Sequence, residues 1–274
     1  MSVVSSASAF AAAKIEGRGA LVGYLPVGFP SVPGSLAALR ALCGEGVDGP
    51  GVDLVEIGMP YSDPVMDGPV IQRAGTRALN RGVRTTDVFA AVEAVREAGK
   101  PAVVMTYWNL VDHYGVEAFA RDLANAGGSG LITPDLIPDE AAEWVAASDR
   151  YGLDRVFLVS PSSTEERILA TAEAARGWLY ATAVMGVTGT RTGASDAAPR
   201  LVERIRRLSP QTLIGVGLGV SNGDQAAEVV KFADAAIVGS AFIKPLLAAD
   251  DAGKPDDLSE LRAVVADLAA GVRR

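Results

Sequence analysis

The chain has 274 residues, of which 49% are hydrophobic and 30 are glycines, so it predicts a folded protein with a large core and excludes a disordered chain. Its formal net charge of −8 argues against nucleic acid or an anionic membrane as partner, and no apolar run reaches the roughly 18 residues of a membrane span. The single cysteine, Cys43, excludes an internal disulfide and indicates a reducing, cytoplasmic compartment.

The predicted elements begin with SSASAFAAAK, which favours a short helix because it lacks the basic start and long apolar stretch of a secretory signal. Eight strand-like runs follow: ALVGYL, DLVEIG, AVVMTY, GLITP, RVFLVS, WLYATA, TLIGVG and AAIVGS. Segments with helical spacing, such as DVFAAVEAVREAG and APRLVERIRRL, lie between them. Strand then helix, eight times over about 250 residues, predicts an α/β protein of the (β/α)8 TIM barrel type. No linker interrupts it, so we expect one domain spanning residues 1–274.

An open doubly wound sheet is the alternative fold. It usually carries a dinucleotide-binding fingerprint, but GVGLGVSN has Val220 where the last glycine is needed. A Walker A motif is absent from the sequence as well. The barrel is therefore the favoured prediction.

The stretch VDLVEIGMPYSDPVMDGP carries an apolar run straight into Glu56 and then presents a second carboxylate, Asp67. Alternation along the strand places Leu54 and Glu56 on one face and Val55 and Ile57 on the other. A buried carboxyl has a raised pKa, which suits general acid/base catalysis. The residues alone leave open a structural Glu56 held by an arginine or by backbone donors.

Other polar residues also end or follow strands, where the chemistry of a (β/α)8 barrel is placed. They are Tyr107, Asp135 and Tyr180. Each tyrosine is equally explained by amphipathic packing, and Asp135 by capping a helix that begins near Pro138.

Glycine-rich loops after the last three strands predict a phosphate site. Gly219 permits close backbone approach, and Gly239 and Ser240 open the helix-like segment SAFIKPLL. Gly189 belongs to the loop after the sixth strand, while Lys244 lies a turn further on and is expected to be solvated. These glycines are also explained as simple turns.

The sequence gives little support for a zinc site or for a Ser-His-Asp catalytic triad. One histidine, His113, and one cysteine leave few zinc ligands beyond carboxylates, and no nucleophile elbow accompanies His113. A Mg²⁺ site formed by Glu56, Asp63 and Asp67 is an open alternative, although the prolines of that loop favour a stiff loop shaped around a substrate. We expect no metal in the site.

Several segments resemble one family over nearly the whole chain and in the expected order. EIGMPYSDPVMDGPVIQRA is similar to the signature of the tryptophan synthase α subunit, and GYLPVGFP, VMTYWN, YATAVMGVTGTRTG, GVGLGVSN and AAIVGSAFIK match further segments of it. The resemblance implies a lyase that cleaves indole-3-glycerol phosphate to indole and glyceraldehyde 3-phosphate by a retro-aldol step. A phosphate-binding barrel isomerase of the same pathway would share the phosphate loops but not the SDP…DGP loop.

The resemblance also implies roles for individual residues. Glu56 would be the general acid and base, and Asp67 the carboxylate that stabilises the protonated ring. The substrate-binding residues would be Tyr24, Met105, Tyr107, Asp135, Tyr180 and Thr188, and the phosphate-binding residues Gly189, Gly219, Gly239 and Ser240.

The implied partner is the β subunit of the same complex, in an αββα heterotetramer. Asp63, Pro64 and Asn109 fall in segments that face it in the family. Pyridoxal phosphate would belong to that partner, and no cofactor is expected in this chain. A stand-alone indole-releasing lyase and a non-catalytic regulatory subunit are the alternatives, although retention of Glu56 and Asp67 argues against the second.

Overall fold

The computed structural model describes residues 3–182 and 196–274. Within these ranges nine strands form one parallel sheet. They are β1 (Ala20–Pro26), β2 (Leu54–Gly58), β3 (Ala102–Met105), β4 (Gly130–Ile132), β5 (Asp154–Val156), β6 (Leu158–Val159), β7 (Leu179–Thr182), β8 (Ile214–Gly217) and β9 (Ala235–Val238). The sheet order is β5-β4-β3-β2-β1-β9-β8-β7-β6.

The two outermost strands of that order, β5 and β6, are separated in sequence by Phe157 alone. The sheet therefore closes on itself, and the predicted (β/α)8 barrel is confirmed. The predicted fifth strand, RVFLVS, differs in being divided at Phe157, because its first half pairs with β4 and its second half with β7. The first and last strands, β1 and β9, pair directly, as a closed sheet requires. The expectation of a single domain stays a prediction.

Helices connect successive strands and surround the barrel. In the described ranges they are α1 (Ala7–Ile15), α2 (Val32–Leu42), α3 (Pro69–Asn80), α4 (Asp87–Glu97), α5 (Trp108–Tyr114), α6 (Val116–Ala126), α7 (Ala142–Tyr151), α8 (Glu165–Ala174), α9 (Ala197–Leu208), α10 (Gly223–Val230), α11 (Ser240–Asp251) and α12 (Ser259–Gly271), with a 3₁₀ turn at Pro138–Glu140. None of those helices has the length and apolarity needed to cross a membrane.

The strands alternate between two apolar environments. Val55 and Ile57 of β2 pack in the layer between strands and helices, whereas Leu54 joins the apolar group inside the barrel. Glu56 has the same parity as Leu54 and is buried in the barrel. The orientation predicted from the alternation is confirmed.

The amino-terminal end of the barrel is covered by the segment that contains α1, whose helical structure was also predicted. Ser6 donates from its backbone N and from Oγ to Asp154 Oδ2, each at 2.6 Å, and accepts a hydrogen bond from Trp178 Nε1 at 3.0 Å. Phe10 packs on Trp178 with ring centroids 5.3 Å apart. These contacts fill the amino-terminal end of the barrel, which leaves its interior accessible from the carboxyl-terminal ends of the strands.

Candidate active site

A cavity lies at the carboxyl-terminal ends of the barrel strands. It is lined by Tyr24, Glu56, Met66, Asp67, Ile71, Met105, Leu158, Tyr180, Thr182, Gly217, Gly219, Ile237, Gly239 and Ser240. The structure thus brings together eight of the predicted site residues from six strands and the segments that follow them: Tyr24, Glu56, Asp67, Met105, Tyr180, Gly219, Gly239 and Ser240.

Glu56 projects from β2 into this cavity and is 1% exposed. Burial, with a further contribution from the negative charge of Asp67, raises the pKa of the Glu56 carboxyl from 4.5 to about 8. Its Oε2 atom has no hydrogen-bond partner in the described part of the chain. Neither an arginine nor a backbone donor of the described residues therefore holds Oε2, and with a pKa of about 8 the Glu56 carboxyl is mostly protonated at neutral pH.

Asp67 reaches the same cavity from the loop between β2 and α3. Its position is fixed locally, because Gly68 is the N-cap of α3, Pro69 is its first residue, and Gln72 Nε2 donates to the Asp67 carbonyl at 2.8 Å. Burial raises the pKa of the Asp67 carboxyl from 3.8 to about 6. At pH 7 it is therefore mostly ionised, whereas Glu56 is mostly protonated, which is the separation that acid/base chemistry requires.

Tyr24 and Tyr180 pack against strand glycines that leave room for their rings. A Cβ atom at Gly58 would lie 2.1 Å from the Tyr24 hydroxyl oxygen, and one at Gly217 would lie 2.6 Å from that of Tyr180. Burial first, and then the charges of Glu56 and Asp67, raise the pKa of both phenols well above 10. Both are neutral donors beside two carboxyl groups.

Two predicted substrate-binding residues are not among the residues that line the cavity. Tyr107 instead accepts a hydrogen bond from Met66 N at 3.0 Å and stacks on Tyr61 at 4.7 Å, so it supports the loop that carries Asp67. Asp135 accepts from Trp108 N at 2.9 and 3.1 Å and caps α5, not the turn that begins at Pro138. Direct contact of either with substrate stays a prediction.

The predicted phosphate residues meet on one side of the cavity. Gly239 is the N-cap of α11 and Ser240 its first residue, so the first amides of this helix, which have no partner within it, point toward the cavity end. Gly219 has a φ of +69°, which requires glycine. Lys244 is exposed, as predicted. The fourth predicted phosphate residue, Gly189, and the predicted substrate-binding residue Thr188 lie outside the described residues.

The residues predicted to face a partner lie close in sequence to the cavity loops. Asp63 and Asn109 are exposed, and Pro64 is half-buried beside Val65, whose side chain is 69% exposed. An exposed valine next to an active-site loop suits a surface that another protein covers. Contact with a partner stays a prediction.

No cluster of three or more His, Cys, Asp or Glu side chains within residues 3–182 and 196–274 is arranged to hold a metal ion. The Mg²⁺ alternative on Glu56, Asp63 and Asp67 therefore has no support among these residues. Asp63 instead accepts a hydrogen bond from Ser62 Oγ at 2.5 Å on the surface.

A larger groove, of ≈ 860 Å³ against ≈ 70 Å³ for the cavity, lies at the amino-terminal side of the barrel near α1 and α10. Its charged groups are largely paired, as in the Arg206–Asp234 and Lys231–Glu228 ion pairs. The smaller cavity is therefore the better candidate for the active site, because it contains the two carboxyl groups whose pKa values are raised.

Sequence reasoning missed six lining residues: Met66, Ile71, Leu158, Thr182, Gly217 and Ile237. Leu158, Thr182 and Gly217 lie at strand ends, so the barrel prediction itself could have identified them. Ile71 had no such signal, because α3 was not among the predicted helices.

The chain is similar to known proteins of one family. A family model described as "Tryptophan synthase alpha chain" matches residues 10–273. The tryptophan synthase alpha chain of Salinispora tropica is 58% identical over 265 residues, covering 97% of this chain and 96% of that protein. That of Mycobacterium avium is 56% identical over 265 residues, with 97% and 93% covered. A structure of Mycobacterium tuberculosis tryptophan synthase superposes with a TM-score of 0.90 at 54% identity and covers 98% of each chain.

Proposed function

The chain belongs to the tryptophan synthase alpha chain family, and from this premise we propose that it cleaves indole-3-glycerol phosphate to indole and glyceraldehyde 3-phosphate. The family relationship makes it a lyase of tryptophan synthesis. The reaction itself is supported by the chemistry of the cavity. Its strongest support is the buried Glu56 carboxyl, which has a pKa of about 8 and an unpartnered Oε2 beside the ionised Asp67.

Glu56 acts first as a general acid. Its proton is transferred to the ring carbon that bears the glycerol chain, which turns the indole into a leaving group. The ionised Glu56 then accepts the proton of the adjacent hydroxyl while the carbon–carbon bond breaks, so that an aldehyde and neutral indole form. One carboxyl with a pKa close to the working pH serves both steps, and such transfers contribute roughly 10²- to 10⁴-fold.

Asp67 stabilises the intermediate electrostatically. Protonation at carbon places positive charge on the ring nitrogen. An ionised carboxylate near the N–H stabilises that charge in a site from which water is excluded. With its pKa at about 6, Asp67 stays ionised at pH 7 while Glu56 stays protonated. Tyr24 and Tyr180, held neutral by burial, line the cavity as hydrogen-bond donors.

The glycerol phosphate is held by backbone groups. The backbone amides of Gly239 and Ser240 at the start of α11 and the turn at Gly219 bind the phosphate. The family resemblance assigns Gly189 to the same group. The net charge of −8 makes such local donors necessary, because the overall field repels an anion. This end of the cavity thus sets the substrate's orientation.

A tryptophan synthase beta chain is the partner, in an αββα assembly with the pyridoxal phosphate on the partner and no cofactor in this chain. The exposed segment with Asp63, Pro64 and Val65, together with Asn109, forms the contact surface. Indole released next to this surface passes to the partner for condensation with serine, and we expect both reactions in the cytoplasm.

Glyceraldehyde 3-phosphate formation from indole-3-glycerol phosphate tests the proposal, measured on the full chain with and without the beta chain. Turnover that rises on addition of the partner is the expected result. Full turnover by the chain alone favours the stand-alone lyase, and no product in either condition favours a regulatory subunit. The separate pKa values of Glu56 and Asp67 favour catalysis over regulation.

A further inference from the structure

Helices α3 and α11 are joined on the outside of the barrel by five charged side chains, which we call the helix clamp: Arg73, Arg77, Arg81, Asp250 and Asp251. Arg77 donates from Nη1 to Asp250 at 2.5 Å and from Nη2 to Asp251 at 2.6 Å. Arg81 Nη2 lies 2.9 Å from both carboxylate oxygens of Asp250. Arg73 Nη2 donates to Asp251 at 2.6 Å. The spacing of four residues places Arg73 and Arg77 on one face of α3, and Arg81, the C-cap residue of the helix, follows them on the same side.

Asp250 is the centre of the helix clamp. Its side chain is 8% exposed, whereas that of Arg77 is 26% exposed. Burial raises the pKa of the Asp250 carboxyl, but hydrogen bonds from Arg81 and Arg77 outweigh burial and hold the pKa below its ordinary value. Exposed ion pairs contribute little to stability. Separating a largely buried carboxylate from two guanidinium partners, in contrast, costs substantial free energy. Asp250 therefore holds the two helices in one arrangement.

The helix clamp links two helices that border the cavity and also contacts the loop that follows β1. Helix α3 begins at Pro69, two residues after Asp67, and its Ile71 lines the cavity. Helix α11 begins at Ser240, on the phosphate side. Arg81 Nη1 also donates to the Pro30 carbonyl at 2.7 Å, in the loop that follows β1. The ion pairs thus connect the helix that follows Asp67 with the helix whose first residue, Ser240, lines the other side of the cavity.

We propose that Asp250 is a positioning residue that holds α3 against α11 and so fixes Asp67 relative to the phosphate end of the cavity. This inference rests on the proposed function, in which the start of α11 binds the phosphate of the substrate and Asp67 contacts its ring. Packed helices slide by small amounts, and a misplacement of about 1 Å costs up to roughly 10²-fold in rate. Charge pairing at Asp250 prevents that displacement.

Asp250→Asn tests the inference, because it keeps the shape of the side chain and removes its charge. With the full chain and the beta chain together, we expect kcat for glyceraldehyde 3-phosphate formation to fall about tenfold. The affinity for glycerol 3-phosphate, which uses the phosphate end of the cavity and not Asp67, should change less than about twofold. Glu117→Gln is the matched control: it removes an exposed ion pair between α6 and α7, with Arg150, and should leave kcat unchanged.

A double-mutant cycle separates positioning from a general effect on stability. If Asp250 acts through Asp67, then Asp250→Asn should cost less than about twofold when Asp67 is already Asn. A second tenfold loss in that background overturns the inference. Thermal melting shows whether Asp250→Asn is folded; if it is not, Arg77→Gln replaces it and must give the same pattern. A wild-type chain without activity overturns the proposed function, whereas an active wild type with unchanged turnover in Asp250→Asn overturns this inference alone.

Discussion

Glu56 and Asp67 face one cavity, and the charge of Asp67 adds to the burial that raises the pKa of Glu56 to about 8. The two carboxyl groups come from one strand and the loop that follows it, yet Asp67 has a pKa of about 6. Because their pKa values differ, one carboxyl is protonated and the other ionised in the same cavity at neutral pH.

Asp67→Asn should lower turnover far more than substrate affinity, because the amide keeps a hydrogen-bonding group but loses the charge that opposes the cationic ring. It should also lower the pKa of Glu56, since the nearby negative charge is removed. In wild type we expect activity to decline below about pH 6 and above about pH 8, as the pair titrates. In Asp67→Asn the decline on the alkaline side should begin at lower pH. Equal losses in turnover and in affinity for a ground-state analogue would make Asp67 a binding residue.

The stability of the protein should depend on the protonation of Glu56. Its pKa rises on folding from 4.5 to about 8, so the folded state binds this proton more tightly than the unfolded chain. Stability should therefore decrease as pH increases between these values, and the loss should be complete above the folded pKa. By the usual conversion the effect is at most about 5 kcal/mol.

Glu56→Gln removes this titration. Its free energy of unfolding, measured in urea, should exceed that of wild type by more at pH 9 than at pH 5. Glu117→Gln changes an exposed carboxylate and should not flatten the profile in this range. Parallel pH profiles for Glu56→Gln and wild type would mean that Glu56 titrates normally.

Gly58→Ala should disturb Tyr24, because the new Cβ would lie 2.1 Å from the hydroxyl oxygen and 2.4 Å from Cζ of that ring. We expect a loss of about 1 to 3 kcal/mol in the free energy of unfolding and weaker substrate binding, as the ring is forced out of its place. Gly75→Ala is the control: it adds the same atom in α3, where the nearest contact is 4.0 Å away. Its stability should be unchanged or slightly higher. Wild-type stability in Gly58→Ala would show that the strand yields at little cost.

Gly219→Arg should abolish binding of glycerol 3-phosphate despite the added positive charge, because the phosphate is held by close backbone approach. The φ of +69° adds backbone strain to this change. Gly253→Arg controls for both strain and charge, since Gly253 has a φ of +71° and nothing within 4 Å of its would-be Cβ. Calorimetric titration with glycerol 3-phosphate and with indole distinguishes the sites: indole binding should change little. Unchanged phosphate affinity in Gly219→Arg would place the anion elsewhere.

The sequence predicted what depends on local pattern. The eight strand runs gave the barrel, and alternation along DLVEIG correctly oriented Glu56 because a strand has a period of two. The division of the fifth strand at Phe157 was missed, since it reflects how two different neighbours pair with its halves. Tyr107 and Asp135 were correctly placed at strand ends, but their partners, Met66 and Trp108, could not be read from spacing.

Contacts between distant segments were the least accessible to sequence reasoning. Asp154 reaches Ser6 across 148 positions, and Asp250 reaches Arg81 across 169 positions. Such pairs are set by the closure of the barrel and the packing of its helices, and no periodicity marks them. The sequence analysis did not single out Asp250, and only the fold shows that it lies between Arg77 and Arg81.

Glu56→Gln tests the central claim most directly, because it keeps the size of the side chain and removes the transferable proton. The measurement is the rate of glyceraldehyde 3-phosphate formation by the full chain with the beta chain at saturating indole-3-glycerol phosphate. We predict a fall in kcat of about 10²- to 10⁴-fold with KM little changed. A kcat close to that of wild type would contradict the assignment of Glu56 as the general acid and base.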